Sequence, residues 1–177
     1  GEYSFGHSIN AAKRDVGSDG ATDFSTEAMA AFIAGRKLIN DNVATDTANA
    51  GAEAAYYTEL VGYAETALGA WEKAIASTVI HYINEVIEET ETLGTNEEAS
   101  FANRAKHWSE MKGFALSLQF SPIATISRDD LIAVHDYMNE APVLTGDDAG
   151  DYIDDLIVAR NLIRDAYGFD ATVVEGW

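Results

Sequence analysis

The chain has 177 residues, 30 of them acidic and 11 basic, for a formal net charge of −19, and it contains no cysteine. That length suits one domain burying roughly 70% of its unfolded surface without a metal or disulfide, and the missing cysteine excludes thiol catalysis, disulfide frameworks and cysteine–zinc centres. The charge opposes phosphate backbones, whose non-specific affinity comes from lysine and arginine, and no apolar run approaches the ~18 residues of a membrane span.

The acidity reads first as solubility and second as an attraction for cations or a basic partner. The chain starts at Gly1 with no signal peptide, so it reads as a processed form or as part of a longer protein. Proline occurs only at Pro122 and Pro142, both in turn-like contexts, and the segments between are alanine-rich and periodic at three to four residues. This pattern predicts an all-helical fold.

A first helix is expected over 4–15, broken by the glycines of "VGSDGATD". A second starts near Ser25, with a capping hydroxyl and Glu27 in the first turn, and runs to about Asn42. A long helix is expected over 50–93, kinked at Gly62 or Gly69 and stopping at Gly94. Thr95 or Asn96 caps the next, which reaches about Gln119. Ser127, Asp129 and Asp130 open a short helix to about Asn139, and the last helix covers 148–167, ended by Gly168. The acids of "GDDAGDYIDD" lack the ligand offsets and closing glutamate of an EF-hand and instead complement a helix dipole.

"IAGRKLIND" from Ile33 and "IVARNLIRD" from Ile157 share isoleucine, arginine, leucine, isoleucine and aspartate at one spacing. Small residues beside an arginine let helices approach while the arginine reaches a carboxylate. The match is mild support for a duplicated bundle.

Two histidine constellations stand out. At 100° per residue, Met111, Phe114 and Leu118 lie within about 40° of His107, which places it on an apolar face with Glu110 about 60° away. A buried imidazole needs partners for two nitrogens and Glu110 answers only one; a metal, a haem iron, a main-chain carbonyl or water would complete it. In "VIHYINEV", His81 and Glu85 share a face with Ala70, Ala74, Ser77 and Thr78, opposite the apolar stripe, so that face is either solvent-exposed or a second packing surface. His81 and Glu85 are one turn apart, as a helical metal pair requires, yet need donors from another helix. His81 lies about 13 residues before the Gly94 turn and His107 about 12 after it, so at 1.5 Å per residue they sit at similar heights on antiparallel neighbours. A joint site of His81, Glu85, His107 and Glu110 would match carboxylate–histidine centres inside helical bundles, although the wheel points the histidines into different layers. Phosphate-loop, HExxH and GxSxG elements are absent.

The segments "AFIAGRKLIN", "VIHYIN", "HWSEMKGFALSLQF", "APVL", "RDAYGFD" and a terminal "VEGW" together resemble, in order, the C-terminal portion of an imelysin-like family of bacterial cell-envelope proteins, a domain of unknown function. The resemblance implies an all-α helical bundle forming one half of a duplicated two-bundle architecture. It also implies export to the periplasm or outer-membrane surface, often as a lipoprotein, and association with iron acquisition. The imelysin GxHxxE motif has its nearest counterpart in "AKHWSE", with Ala105 in place of glycine and His107 and Glu110 retained; that motif lies elsewhere in imelysin chains, so equivalence does not follow. The leading expectation is therefore an extracytoplasmic binding protein for a metal ion, iron or zinc, or an iron compound, held by His107, Glu110, His81 and Glu85, with no catalytic residue assigned. The alternatives are an interaction module without ligand, and a carboxylate–histidine metalloenzyme or imelysin-type peptidase. An N-terminal half of the same protein, as a separate chain packed on the His81 face, is the expected partner, with a homo-oligomer as another arrangement.

Overall fold

A computed structural model describes Lys13, residues 22–43 and residues 55–177. Among the described residues the chain is helical without strands: α1 Phe24–Val43, α2 Tyr57–Glu91, α3 Phe101–Ser117, α4 Arg128–Tyr137, α5 Ala149–Tyr167 and α6 Ala171–Val174. Apart from Lys13, the helix expected over 4–15 lies outside the described residues.

Local chemistry sets the ends. α1 is capped two residues earlier than expected, by the Asp23 carboxylate, which accepts from the Thr26 amide at 3.1 Å. α2 runs through Gly62 and Gly69 without interruption for 35 residues. Past it, Gly94 takes φ +76°, a conformation that costs a side chain. Thr95 does not cap α3: its hydroxyl donates to the Thr92 carbonyl at 2.7 Å and closes the turn, and the cap is Ser100, which accepts from the Asn103 amide at 3.2 Å. Ser127 caps α4 through the Asp130 amide at 3.0 Å. α5 ends at Gly168 with φ +67°, and Asp170 starts the unanticipated α6 by accepting from the Thr172 amide at 2.7 Å.

α2 is the central rod of the bundle. Residues from Ala76 to Ile80 are all buried, as are Tyr82, Ile83, Asn84 and Val86. α1 packs antiparallel along its first half, with Gly35 beside Leu60 and Tyr63 and Phe24 beneath the Lys73 ammonium. α3 and α5 pack against α2, and α4 packs on α5. Ile80, Ile83, Met111, Leu118, Val134, Met138, Leu156 and Ile163 are fully buried, and each large aliphatic side chain removed from water contributes about 1.5–3 kcal/mol. The two similar segments meet different surroundings. Ile163 is wholly buried while its counterpart Ile39 is 37% exposed, and Arg160 reaches Asn84 at 2.8 Å and Glu175 at 3.8 Å.

One buried carboxylate ties distant parts of the chain together. Glu72 of α2 accepts from the Ser121 hydroxyl, the Thr125 amide at 2.7 Å and the Tyr167 hydroxyl at 2.9 Å. Burial of the phenol, and then the hydrogen bond to Glu72, push the Tyr167 hydroxyl above the ordinary tyrosine range. The turn after α3 is thus latched to α2 and α5. A second tie closes α4: the Trp108 indole and the Tyr152 hydroxyl both donate to the Met138 carbonyl, each at 3.1 Å, so carbonyls left open at a helix end are answered by side chains.

Candidate functional site

The antiparallel packing of α2 and α3 brings three of the four expected residues together. His81 and Glu85 come from α2 and His107 from α3. Glu85 stands between the imidazoles, with Oε1 3.7 Å from His81 Nε2 and Oε2 3.7 Å from His107 Nδ1. Glu89, one turn further along α2, makes the shortest contact, Oε1 to His107 Nδ1 at 3.0 Å. The Tyr82 ring lies beside both imidazoles, its centroid 4.9 Å from that of His81 and 6.0 Å from that of His107.

Burial places this cluster at the edge of the bundle. Side-chain exposure is 14% for His81, 18% for His107 and 12% for Glu89, against 37% for Glu85, so Glu85 is the member facing water. Ala70, Ala74, Ser77 and Thr78 are buried, which makes the face shared with His81 a packing surface rather than a solvated one. On α3 the buried residues are Arg104, Met111 and Ala115, followed by Leu118. His107 therefore borders the buried stripe instead of occupying its middle. Glu110 stands apart from the cluster and pairs with Lys106 at 3.5 Å.

A polar groove of about 310 Å³ adjoins His81, lined also by Glu85, Glu88, Asn84, Lys13, Gly176 and Trp177. Asn84 builds its floor. Its amide donates to the Val174 and Trp177 carbonyls at 2.8 and 3.0 Å, and its oxygen accepts from Arg160 at 2.8 Å. The Trp177 ring meets Phe169 edge-on at 4.8 Å. These bonds hold the C-terminal turn against α2 beside the histidine.

The chemistry open to the cluster follows from where its lone pairs go. With the proton of His107 on Nδ1, that nitrogen donates to Glu89 and Nε2 remains an acceptor. The Lys106 ammonium lies 3.5 Å from Nε2, so a cation of the protein already occupies the direction a metal would need. His81 Nε2 is turned to Glu85. The donors answer one another rather than a common centre, and among the described residues no group of three or more His, Cys, Asp or Glu is disposed to hold a metal ion. A resident metal does not fit this arrangement. One acceptor stays open: Glu89 Oε2 is buried without a hydrogen-bond partner. The hydroxyls of Ser77 and Thr78 donate to the Ala74 carbonyl at 2.8 Å each, so neither is presented to an imidazole as a nucleophile.

Glu89, Asn84 and Trp177 are site residues that the sequence reading missed. Glu89 carried a usable signal, since it follows Glu85 by four residues on the same side of α2. No protein-family model, curated protein or solved structure matches the chain.

Proposed function

We propose that this chain is a non-enzymatic helical binding module, acting outside the cytoplasm, whose recognition surface is the polar groove at α2 and the C-terminal turn. What the groove receives is a cationic group of a partner chain. The observation that carries the reading is the groove itself. Glu85 and Glu88 line it beside a largely buried imidazole, Trp177 forms one wall, and Lys13 of the same chain already contributes an ammonium-bearing side chain to it. The overall charge of −19 draws cations toward the whole surface, and Asn84 supplies a rigid floor. A basic segment from an N-terminal half of the same protein is the partner that best suits an imelysin-like architecture.

Titration with a short oligolysine peptide, followed by the indole NMR signal of Trp177, tests it. Saturable displacement of that signal, removed by Glu85→Gln with Glu88→Gln, is the expected result. A non-saturating response spread over the acidic surface, or none, overturns it.

A second reading, metal acquisition through His81, Glu85 and His107, has one observation in its favour: the unpartnered Glu89 Oε2 beside His107. Binding of zinc or ferrous iron at one equivalent, lost in His107→Ala and Glu89→Gln, would establish it. Absence of stoichiometric metal removes it.

A further inference from the structure

A second concavity lies on the opposite end of α3, away from the histidine cluster, where the turn after α3 meets α4. It encloses about 480 Å³, within the range of small-molecule sites. Leu116, Ile126, Leu131 and Ile132 form an apolar wall, with Arg128 and His135 at its two ends. Much of that wall faces water: Leu116 is 50% and Ile132 49% exposed, and Phe120, next along the chain from the groove residue Gln119, is 77% exposed. Apolar side chains gathered this way and rimmed by polar groups mark a binding surface rather than scattered surface residues.

The polar groups define an orientation. Arg128, Leu131, Ile132 and His135 recur at spacings of three, four and seven residues, so they form one stripe along α4 with its ends about 10 Å apart. Arg128 is exposed, and among the described residues no carboxylate pairs with it. It is a cation beside an apolar trough, free of a direct ion pair, with the Asp129 and Asp130 carboxylates next along the chain in the same helical turn. The other end suits no anion. Asp136 lines it, and the Nε2 of His135 is buried without a partner. Burial, helped by the nearby Lys112, holds that imidazole below the ordinary histidine range and therefore neutral, against a smaller opposing pull from Asp136.

We propose that this groove binds a single-chain amphiphile with a carboxylate head, a medium-chain fatty acid, its head at Arg128 and its chain along Leu131 and Ile132 toward His135. The guanidinium offers a charge-assisted hydrogen bond to the head, and the apolar wall offers transfer of the chain from water. The site is separate from the groove at α2 and does not depend on the reading given for it.

Decanoate, titrated below its micellar concentration and followed by histidine ring NMR, is the probe. One molecule should bind saturably, moving the His135 signals and leaving those of His81 and His107 in place. Each methylene removed from the chain should weaken binding about fourfold. Arg128→Gln should weaken decanoate roughly tenfold while leaving decanol unaffected, and Ile132→Glu should abolish binding of both. Both substitutions lie at exposed positions, so unchanged circular dichroism will verify the fold. Failure of decanoate to saturate, displacement of His81 or His107 in place of His135, or equal loss of decanol and decanoate in Arg128→Gln would each overturn the assignment.

Discussion

Replacing Glu72 with alanine removes the carboxylate that joins α2, the turn after α3 and α5. Three donors converge on it, from Ser121, Thr125 and Tyr167, and Glu72 itself is 4% exposed. A hydrogen bond to a charged group contributes about 1.5–3 kcal/mol, and a buried donor left without a partner costs about 1–3 kcal/mol. Against this, the variant no longer desolvates a carboxylate, which offsets several kcal/mol of the gross loss. The balance is a destabilisation of about 3–4 kcal/mol, a large share of the 5–15 kcal/mol typical of folded domains. Glu72→Gln keeps an acceptor oxygen and should cost about half as much. Urea unfolding gives both values from the shift in midpoint at constant slope. Ultraviolet pH titration adds a second readout, because the Tyr167 phenol, now held above the ordinary range by burial and by Glu72, should ionise at lower pH in Glu72→Ala. A loss below 1 kcal/mol with an unchanged phenol titration would refute the latch. The consequence reaches the groove at α4, since the latched turn carries Ile126 of its apolar wall.

Gly62→Ala and Gly113→Ala, at helical positions where a Cβ meets nothing within 4 Å, should each stabilise the protein by about 0.5–1 kcal/mol in thermal unfolding. Gly168→Ala, at φ +67°, should destabilise it by about 1 kcal/mol. Because burial lowers the proton affinity of folded His135, the unfolded chain takes up a proton first as the medium is acidified. Stability is therefore full above the ordinary histidine pKa of about 6.5 and declines as pH falls from there toward the lower folded value. His135→Gln should flatten that slope in unfolding midpoints measured between pH 7 and 5. Asn84→Ala removes three hydrogen bonds around the turn at 171–177 and should cost about 2–3 kcal/mol, with faster amide hydrogen exchange in that turn as its local signature.

What the sequence disclosed was what is local. Helical periodicity, the Ser127 cap and the Gly168 stop are each settled within a turn of chain, and each stands where expected. The α3 cap was misplaced because Thr95 and Ser100 are both competent, and only the path of the turn, closed by Thr95 onto Thr92, leaves the role to Ser100. Level arithmetic from the Gly94 turn placed His81 and His107 at similar heights, since it needs only a fixed rise per residue, while the helical wheel pointed them into different layers. The rotation of each helix is another matter. It depends on which neighbours cover it, and α2 is covered on several sides, so the small-residue face holding His81 packs inward while Glu110 turns away to Lys106. Glu72 was invisible for the same reason: its partners lie 49 to 95 positions away, beyond the reach of any pattern along one helix.

The imidazoles and carboxylates between α2 and α3 answer each other and the Lys106 ammonium, and the adjoining groove is the surface proposed to recognise a cationic side chain. Imidazole nitrogen NMR of the protein during addition of one equivalent of zinc, and separately of oligolysine, tests this most directly. The His107 nitrogens should stay in place with zinc, and the His81 and Trp177 signals should move with the peptide. A His107 nitrogen displaced to the position of a metal-bound imidazole, with the peptide leaving Trp177 unmoved, would contradict it.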